Sequence, residues 1–429
     1  MRFVWCTAAA LVVATPALAQ EFDELAFDET SLVFDDTTLA DDILVFDETS
    51  LATDGQAPFE QTAAELPKRG PDLELTYSQA LTDSMGAFSR SSALSLTAKN
   101  SASAEGLGFV EWQLSLNVDD PGGASVASVE LDRLIVQNSA GDFSWRIGKY
   151  PIGWGEIEAI PVLDVINSGL SLADLGTARE ELPGQWFASL DHFGDRGTVS
   201  AFVGLDPQVA HGAAATSQGA DYEAGAKIAL PIEQGQVSFY AARLLPQAGV
   251  VDFAGATSSA QPYTLLGASA HKALDAILLE ADFAAKLGLE RATATSYAKD
   301  DRLDFSLGAE WAVSGTTQLT GSVAVQRWRD AGGGYFDFGP GGAVAANRTA
   351  ASYLLSATRS IAGSDIDLSA FLGGAADGST RFLAFQANWT PSDTVNLAAS
   401  FSVLSASAGS VLAPMDGTAS LSLETGIRF

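Results

Sequence analysis

The carboxy-terminal residues Leu421-Ser422-Leu423-Glu424-Thr425-Gly426-Ile427-Arg428-Phe429 alternate without a break. In an extended chain Leu421, Leu423, Thr425, Ile427 and Phe429 share one face, and Ser422, Glu424, Gly426 and Arg428 share the other, because successive side chains of a strand point to opposite sides. The same two-residue period returns in eighteen runs between Pro71 and Phe429, from one centred near Leu75 to this last one near Thr425. Each run has one apolar and one polar face, and so many apolar faces need something to cover them. A transmembrane antiparallel β-barrel covers them with lipid and keeps the polar faces around an aqueous lumen. The expected fold is therefore all-β, one barrel of about eighteen strands over residues 71–429. Sixteen is the neighbouring even count that a few irregular connections allow.

Connection lengths support the barrel. Even-numbered connections are mostly tight, as at Asn138 to Asp142, Phe193 to Gly197, Pro231 to Gly235 and Ser314 to Thr316. Odd-numbered ones are mostly long, as at Pro151 to Pro183, Pro207 to Ala220, Pro246 to Pro262 and Arg329 to Arg348. Short turns at one end and long loops at the other are the pattern of outer-membrane barrels, and an even strand count leaves both chain ends at the periplasmic side. Several faces are plain from the residues. Leu303, Phe305, Leu307 and Trp311 are expected to meet lipid, with Arg302, Asp304, Ser306 and Glu310 inward. Arg133 breaks the pattern, since it shares the parity of Val129 and Leu131; it requires a rim position or a bulge that resets the register.

The amino terminus reads as a secretory signal over residues 1–19, with Arg2, an apolar run from Ala8 to Val13, and a small-x-small cleavage site at Ala17-Leu18-Ala19. The single cysteine, Cys6, falls within it, so an exported chain beginning at Gln20 holds no disulfide. Mean hydropathy is +0.14 although the net charge is −30. That combination suits apolar residues spread at every second position, with no run near the ~18 residues a membrane helix requires.

Residues 20–70 form an acidic extension. The stretch 20–66 holds 14 acids and no base, and repeats a short motif at Phe27-Asp28-Glu29-Thr30-Ser31-Leu32-Val33, Phe34 to Ala40 and Phe46 to Ala52. Neither a helix nor a strand gathers its Phe, Leu and Val on one face. Such a segment is expected to stay solvated, or to bind a basic periplasmic partner or the barrel mouth. Pro67-Lys68-Arg69-Gly70 has the composition of a linker.

The longest connection, Pro151 to Pro183, is rich in acids, among them Glu156, Glu158 and Asp164. If it folds inward it makes an acidic constriction, faced by wall bases of inward parity: Arg146, Lys227, Lys286, Arg302 and Arg381. Gly148-Lys149-Tyr150-Pro151-Ile152-Gly153-Trp154-Gly155-Glu156, followed by Asp164-Val165-Ile166-Asn167, resembles a signature of a poorly characterised proteobacterial family of outer-membrane barrels. Lys149 stands where an Arg is usual there. The resemblance implies a barrel in which Trp154, Glu156, Asp164 and Asn167 organise the loop at the pore mouth, with the Trp154 indole suited to the interface belt. The terminal Phe429, with Ile427 two residues before it, resembles the assembly signal of bacterial outer-membrane barrels read by the barrel-assembly machinery.

Catalytic patterns are weak. His192, His211 and His271 have no metal-ligand spacing. The stretch from Gly332 to Gly339 lacks the Lys-Ser/Thr of a phosphate loop. Neither a metal nor another cofactor is expected, an enzyme is not expected, and the acidic balance argues against nucleic acid. The expected function is a porin-like channel in the outer membrane of a Gram-negative bacterium, passing small hydrophilic solutes with a preference for cations. It would be a monomer or a homotrimer among outer-membrane lipids and lipopolysaccharide. The alternatives are a substrate-specific or hydrophobic-solute channel gated by the amino-terminal segment, or a non-transport barrel that tethers the envelope through residues 20–66.

Phe429 supplies a first prediction. Deleting it, or substituting Phe429→Asp, will lower the amount of folded, heat-modifiable protein in the outer membrane while export continues. Unchanged amounts on a heat-modifiability gel would refute the assembly role.

Overall fold

The computed structural model describes residues 71–429 except 85–86, 105–107, 121–124, 158–159, 164, 167–183, 207–221, 247–249, 253–256, 294–296, 330–334 and 340–341. The expected signal peptide and the acidic extension lie outside the described residues. The strands are β1 (Asp72–Ser84), β2 (Ala87–Ala104), β3 (Gly108–Asp120), β4 (Val126–Ala140), β5 (Phe143–Tyr150), β6 (Gln185–Gly194), β7 (Gly197–Asp206), β8 (Ala224–Ile232), β9 (Gly235–Leu244), β10 (Val250–Asp252) and β11 (Thr257–Ser259). They continue as β12 (Tyr263–Leu274), β13 (Ile277–Ala292), β14 (Tyr297–Ser314), β15 (Thr317–Trp328), β16 (Tyr335–Gly339), β17 (Gly342–Ala346), β18 (Thr349–Ile361), β19 (Ile366–Ala375), β20 (Thr380–Ser392), β21 (Val395–Ala406) and β22 (Ala419–Arg428).

Eighteen of these form one sheet in which each wall strand is antiparallel to its neighbours along the chain. The sheet closes because β22 pairs back onto β1, from Glu74↔Arg428 to Asp83↔Ala419. Closure leaves no wall strand with an unpaired edge, the condition for a sheet to cross lipid. The eighteen expected runs coincide with the eighteen wall strands, so the count is eighteen and not sixteen. The pairs β10–β11 and β16–β17 are small hairpins within two of the long connections. The long connections are concentrated between β5 and β18. On the same side the turns after β1, β3, β13 and β19 are short, so the long-loop end of the barrel is lopsided.

The alternation sorts the side chains as the sequence requires. Leu303, Phe305, Leu307 and Trp311 on β14 are exposed on the outer face. Asp304 and Ser306 between them are fully buried on the inner one. Outward Ile147, Leu190, Val203, Ile228, Phe239 and Leu266 continue the apolar belt from β5 to β12. A contiguous apolar girdle of this extent exceeds what a water-soluble surface carries, and it fixes the barrel in a bilayer.

Two irregular places have local causes. Gln113 pairs with Arg133 but Leu114 pairs with Leu131, so Asp132 is an extra residue in β4. This bulge turns Arg133 inward, where its guanidinium lies 3.1 Å from the Glu111 carboxylate. Arg381 departs from expectation. It precedes Leu383 and outward Phe385 at the same parity and pairs with Gly374 and Ser405, so it lies on the outer face beside the β19–β20 turn. Parity had to be carried to it across that turn, where the alternation is lost.

Lipid contact fixes the sign of a substitution on the belt. Leu307→Arg will destabilise the barrel by ~2–4 kcal/mol if the position lies near the midplane. Ser306→Ala, on the inner face, will cost far less. Denaturant titration of barrels refolded into vesicles measures both, and equal losses would contradict the assigned faces.

Candidate functional site

The connection that follows β5 does not rise away from the barrel. Its described part, 151–157 with 160–163 and 165–166, folds inside and packs on the inner wall. Trp154, Ile157, Val162, Leu163 and Ile166 are buried together with inward Phe187, Phe202, Tyr240, Leu265 and Ala284. The Trp154 ring meets Phe202 edge-on at 5.4 Å and Tyr240 at 5.0 Å between centroids. Sequence reasoning gave the indole to the lipid interface. It belongs instead to an apolar cluster in the lumen, because the loop supplies an apolar surface of its own.

Small wall residues make room for that surface. A Cβ on Gly225 of β8 would stand 2.7 Å from the tip of the Trp154 indole, and one on Gly267 of β12 would stand 2.4 Å from Leu163 Cδ2. Gly155 has a positive φ of +86°, a conformation that L side chains rarely adopt, and a Cβ there would meet Asp282 Oδ2 at 2.5 Å. The two wall glycines therefore seat the loop, and Gly155 both turns it and lets it approach Asp282.

A polar lock completes the seat. Asp282 of β13 accepts the backbone N–H of Glu156 at 3.0 Å and that of Ile157 at 3.3 Å. The Gly155 N–H donates to the Tyr240 hydroxyl at 3.3 Å. The Glu156 carboxylate accepts from the Ser269 hydroxyl at 2.9 Å and lies 2.8 Å from His271 Nδ1. Burial opposes the charge on Glu156. The His271 hydrogen bond and charge, with Ser269 and the nearby Lys227, outweigh burial and hold this carboxyl below its ordinary range. On the return, the Gln185 amide donates to the Ile166 carbonyl at 2.7 Å.

Among the expected constriction residues, Glu156 and Lys227 come together around Tyr240, over whose ring Lys227 Nζ lies at 5.7 Å. Arg146 stands apart on β5, 3.6 Å from Asp191 and 5.2 Å from the centre of the Tyr150 ring. Glu158, Asp164 and Asn167 lie outside the described residues. Sequence reasoning missed Asp282, Tyr240, Ser269 and His271. Their inward parity was readable, but only the folded register places them under residues more than a hundred positions away in the case of Asp282 and Ser269.

Several inner bases are held by acids. Lys286 lies 2.7 Å and Arg302 2.8 Å from the Asp304 carboxylate, and Arg291 lies 3.2 Å from Asp300. Across the lumen the wall from β20 through β22 and β1 to β3 is lined by hydroxyls and amides. Ser95 donates to Asn117 at 2.6 Å, and the Thr97 and Ser115 hydroxyls lie 3.0 Å apart. Toward the tight-turn end this wall has a concavity lined by Glu74, Gln386, Asn388, Asn396, Glu424 and Arg428.

Solved structures share this architecture. Pseudomonas aeruginosa OpdQ is 11% identical, with 84% of this chain and 98% of that chain covered and a TM-score of 0.52. Acinetobacter baumannii OccAB1 is 12% identical, covering 84% and 96%, with a TM-score of 0.52. Pseudomonas aeruginosa OccK8 is 13% identical, covering 84% and 98%, with a TM-score of 0.51. No family model matches the chain, and no curated protein matches it either. At these identities the likeness is one of fold. That fold is a porin-like β-barrel of the Gram-negative outer membrane.

One buried acid at the long-loop end gives a pH prediction. Glu223, just before β8, accepts the Leu245 N–H at 2.9 Å, while its second oxygen has no hydrogen-bond partner among the described residues. Burial raises its pKa to about 7, offset only in part by the Leu245 hydrogen bond. The folded state then holds a proton that the unfolded state releases near pH 4.5, so this group's contribution falls as pH rises from about 4.5 to 7 and is level above. Glu223→Gln will therefore lose less thermal stability than the parent between pH 5 and pH 8. Parallel melting curves of parent and variant across that range would refute the buried proton.

Proposed function

We propose that the chain is a passive diffusion channel for small hydrophilic solutes, with a preference for cations. The observation that carries the reading is the loop seated inside the lumen by Asp282, Tyr240, Ser269 and the small wall residues. It narrows the passage from one side and leaves a hydroxyl- and amide-lined wall on the other. Solutes slide along such a wall by exchanging water hydrogen bonds for protein ones.

Charge favours cations. From Pro71 onward there are 39 acids and 20 bases. The lumen bases Arg133, Arg146, Lys286, Arg302 and Arg291 are each within ion-pair distance of an acid. Paired bases present little net field to a passing ion, whereas Glu130 is an exposed, inward acid paired across the sheet with Ser115. A net negative path concentrates cations and repels anions. The expected contribution of Glu158 and Asp164 to the constriction belongs to the same proposal.

Planar-bilayer recordings test both parts. The purified chain will form channels, and its reversal potential in a potassium chloride gradient will have the sign of cation selectivity. Absence of channels would overturn the diffusion reading and favour the tethering one. Open channels with an anion-selective reversal potential would overturn the charge argument alone.

A further inference from the structure

The bases of this barrel fall into two populations. Five of those facing the lumen, Arg133, Arg146, Lys286, Arg291 and Arg302, lie within ion-pair distance of an acid, whereas inward Lys99 beside Gln113 forms no ion pair among the described residues. Arg327, Arg381 and Lys299 face outward and form no ion pair among the described residues. Each sits at the long-loop end of an outward apolar run. Arg327 follows Val323 and Val325 on β15 and pairs with Leu303. Arg381 precedes Leu383 and Phe385 on β20, and Lys299 precedes Leu303 and Phe305 on β14. Arg329 extends the group one step above Arg327. It is highly exposed and lies 3.0 Å from Asp301, the acid that shares this face of β14. Arg243 holds the equivalent outward position on β9, with its guanidinium 5.7 Å from the Tyr222 ring centre. Asp83 and Asp120 hold it on β1 and β3. Arg90 on β2 is a further outward base at this end, set against Gln79 and flanked by those two acidic strands, so the bases are concentrated, though not confined, between β9 and β20.

Side chains directly above the lipid-facing belt stand at the depth of the headgroups of the outer leaflet. Unpaired cations at that depth, in a chain of net charge −30, need an anionic headgroup to face them. Arginine matches phosphate through two parallel N–H donors, and both stems can lie along the apolar wall while the charge reaches outward. We propose that the outer surface from β14 to β20, centred on Arg327 and Arg381, is a binding site for the phosphate groups of a phosphorylated glycolipid of the outer leaflet. The site lies outside the lumen and is independent of what the channel passes.

The test uses the full chain in detergent and native mass spectrometry with three probes: a bis-phosphorylated lipid A, the same glycolipid without phosphates, and phosphatidylglycerol. The parent will retain the phosphorylated glycolipid in preference to the other two. The double substitution Arg327→Gln, Arg381→Gln will lower that affinity roughly tenfold or more, taking about a tenfold loss as the minimum for two headgroup-level charges. The control Lys272→Gln, Arg359→Gln removes the same charge from outward positions beside the tight turns and will leave binding unchanged. Equal retention of the dephosphorylated glycolipid or of phosphatidylglycerol by the parent would overturn the assignment, as would equal losses in the two double variants. The probe comparison on the parent decides the matter even if a variant folds poorly.

Discussion

Every backbone N–H and C=O in the lipid-spanning wall must find its partner within the protein, because the hydrocarbon offers none. The pairing of β22 with β1 satisfies that condition for the last free edges. Without it the first and last strands would each carry a row of unpaired groups into lipid, at several kcal/mol per group by general estimates. The alternating sequence, the tight turns and the carboxy-terminal strand all serve this closure. The Phe429 N–H continues it one residue past β22 by donating to the Leu73 carbonyl at 2.8 Å.

The wall was legible because each strand repeats one local rule. A strand two-sided toward lipid and water must alternate, and a one-residue slip would put Asp304 or Arg302 into hydrocarbon. The same logic located the break at Arg133, although only the pairing with Gln113 and Leu114 identified Asp132 as the bulged residue. Turns erase parity, which is why Arg381 was placed on the wrong face. The interior was less legible. Trp154-Gly155-Glu156 stood out as a motif, but its partners Tyr240, Ser269, His271 and Asp282 carry no local signature. They are ordinary inward residues until curvature brings the loop down on them.

The seat of the loop combines two interactions of different character. The apolar set of Trp154, Ile157 and Leu163 fills hollows left by Gly225, Gly308 and Gly267, a contact that tolerates little change of volume on either side. The polar set places the Asp282 carboxylate on two successive N–H groups, which orients the Glu156 side chain toward Ser269 and His271. Burying an unpaired carboxylate in a narrow lumen would be costly. Here Asp282 and Glu156 are each satisfied by donors that only the seated loop and its wall provide together. The described part of the loop is thus held by groups that would be left unsatisfied if it left, and a fixed seat on the inner wall follows from that reciprocity.

Charge placement divides the barrel by environment. Inside, Asp304 stands between Lys286 and Arg302, and Asp191 beside Arg146, so that these bases are compensated within the wall. Pairing of this kind stabilises chiefly by avoiding an uncompensated charge, so removing one partner costs more than the pair contributes. Outside, Arg327 and Arg381 form no ion pair among the described residues, and their long stems leave the guanidinium at the water side of the belt. Both arrangements follow from one requirement. A cation in a low-dielectric surround needs an anion, which the lumen wall supplies as Asp304 and Asp191, or a path to water, which the long outward stems supply.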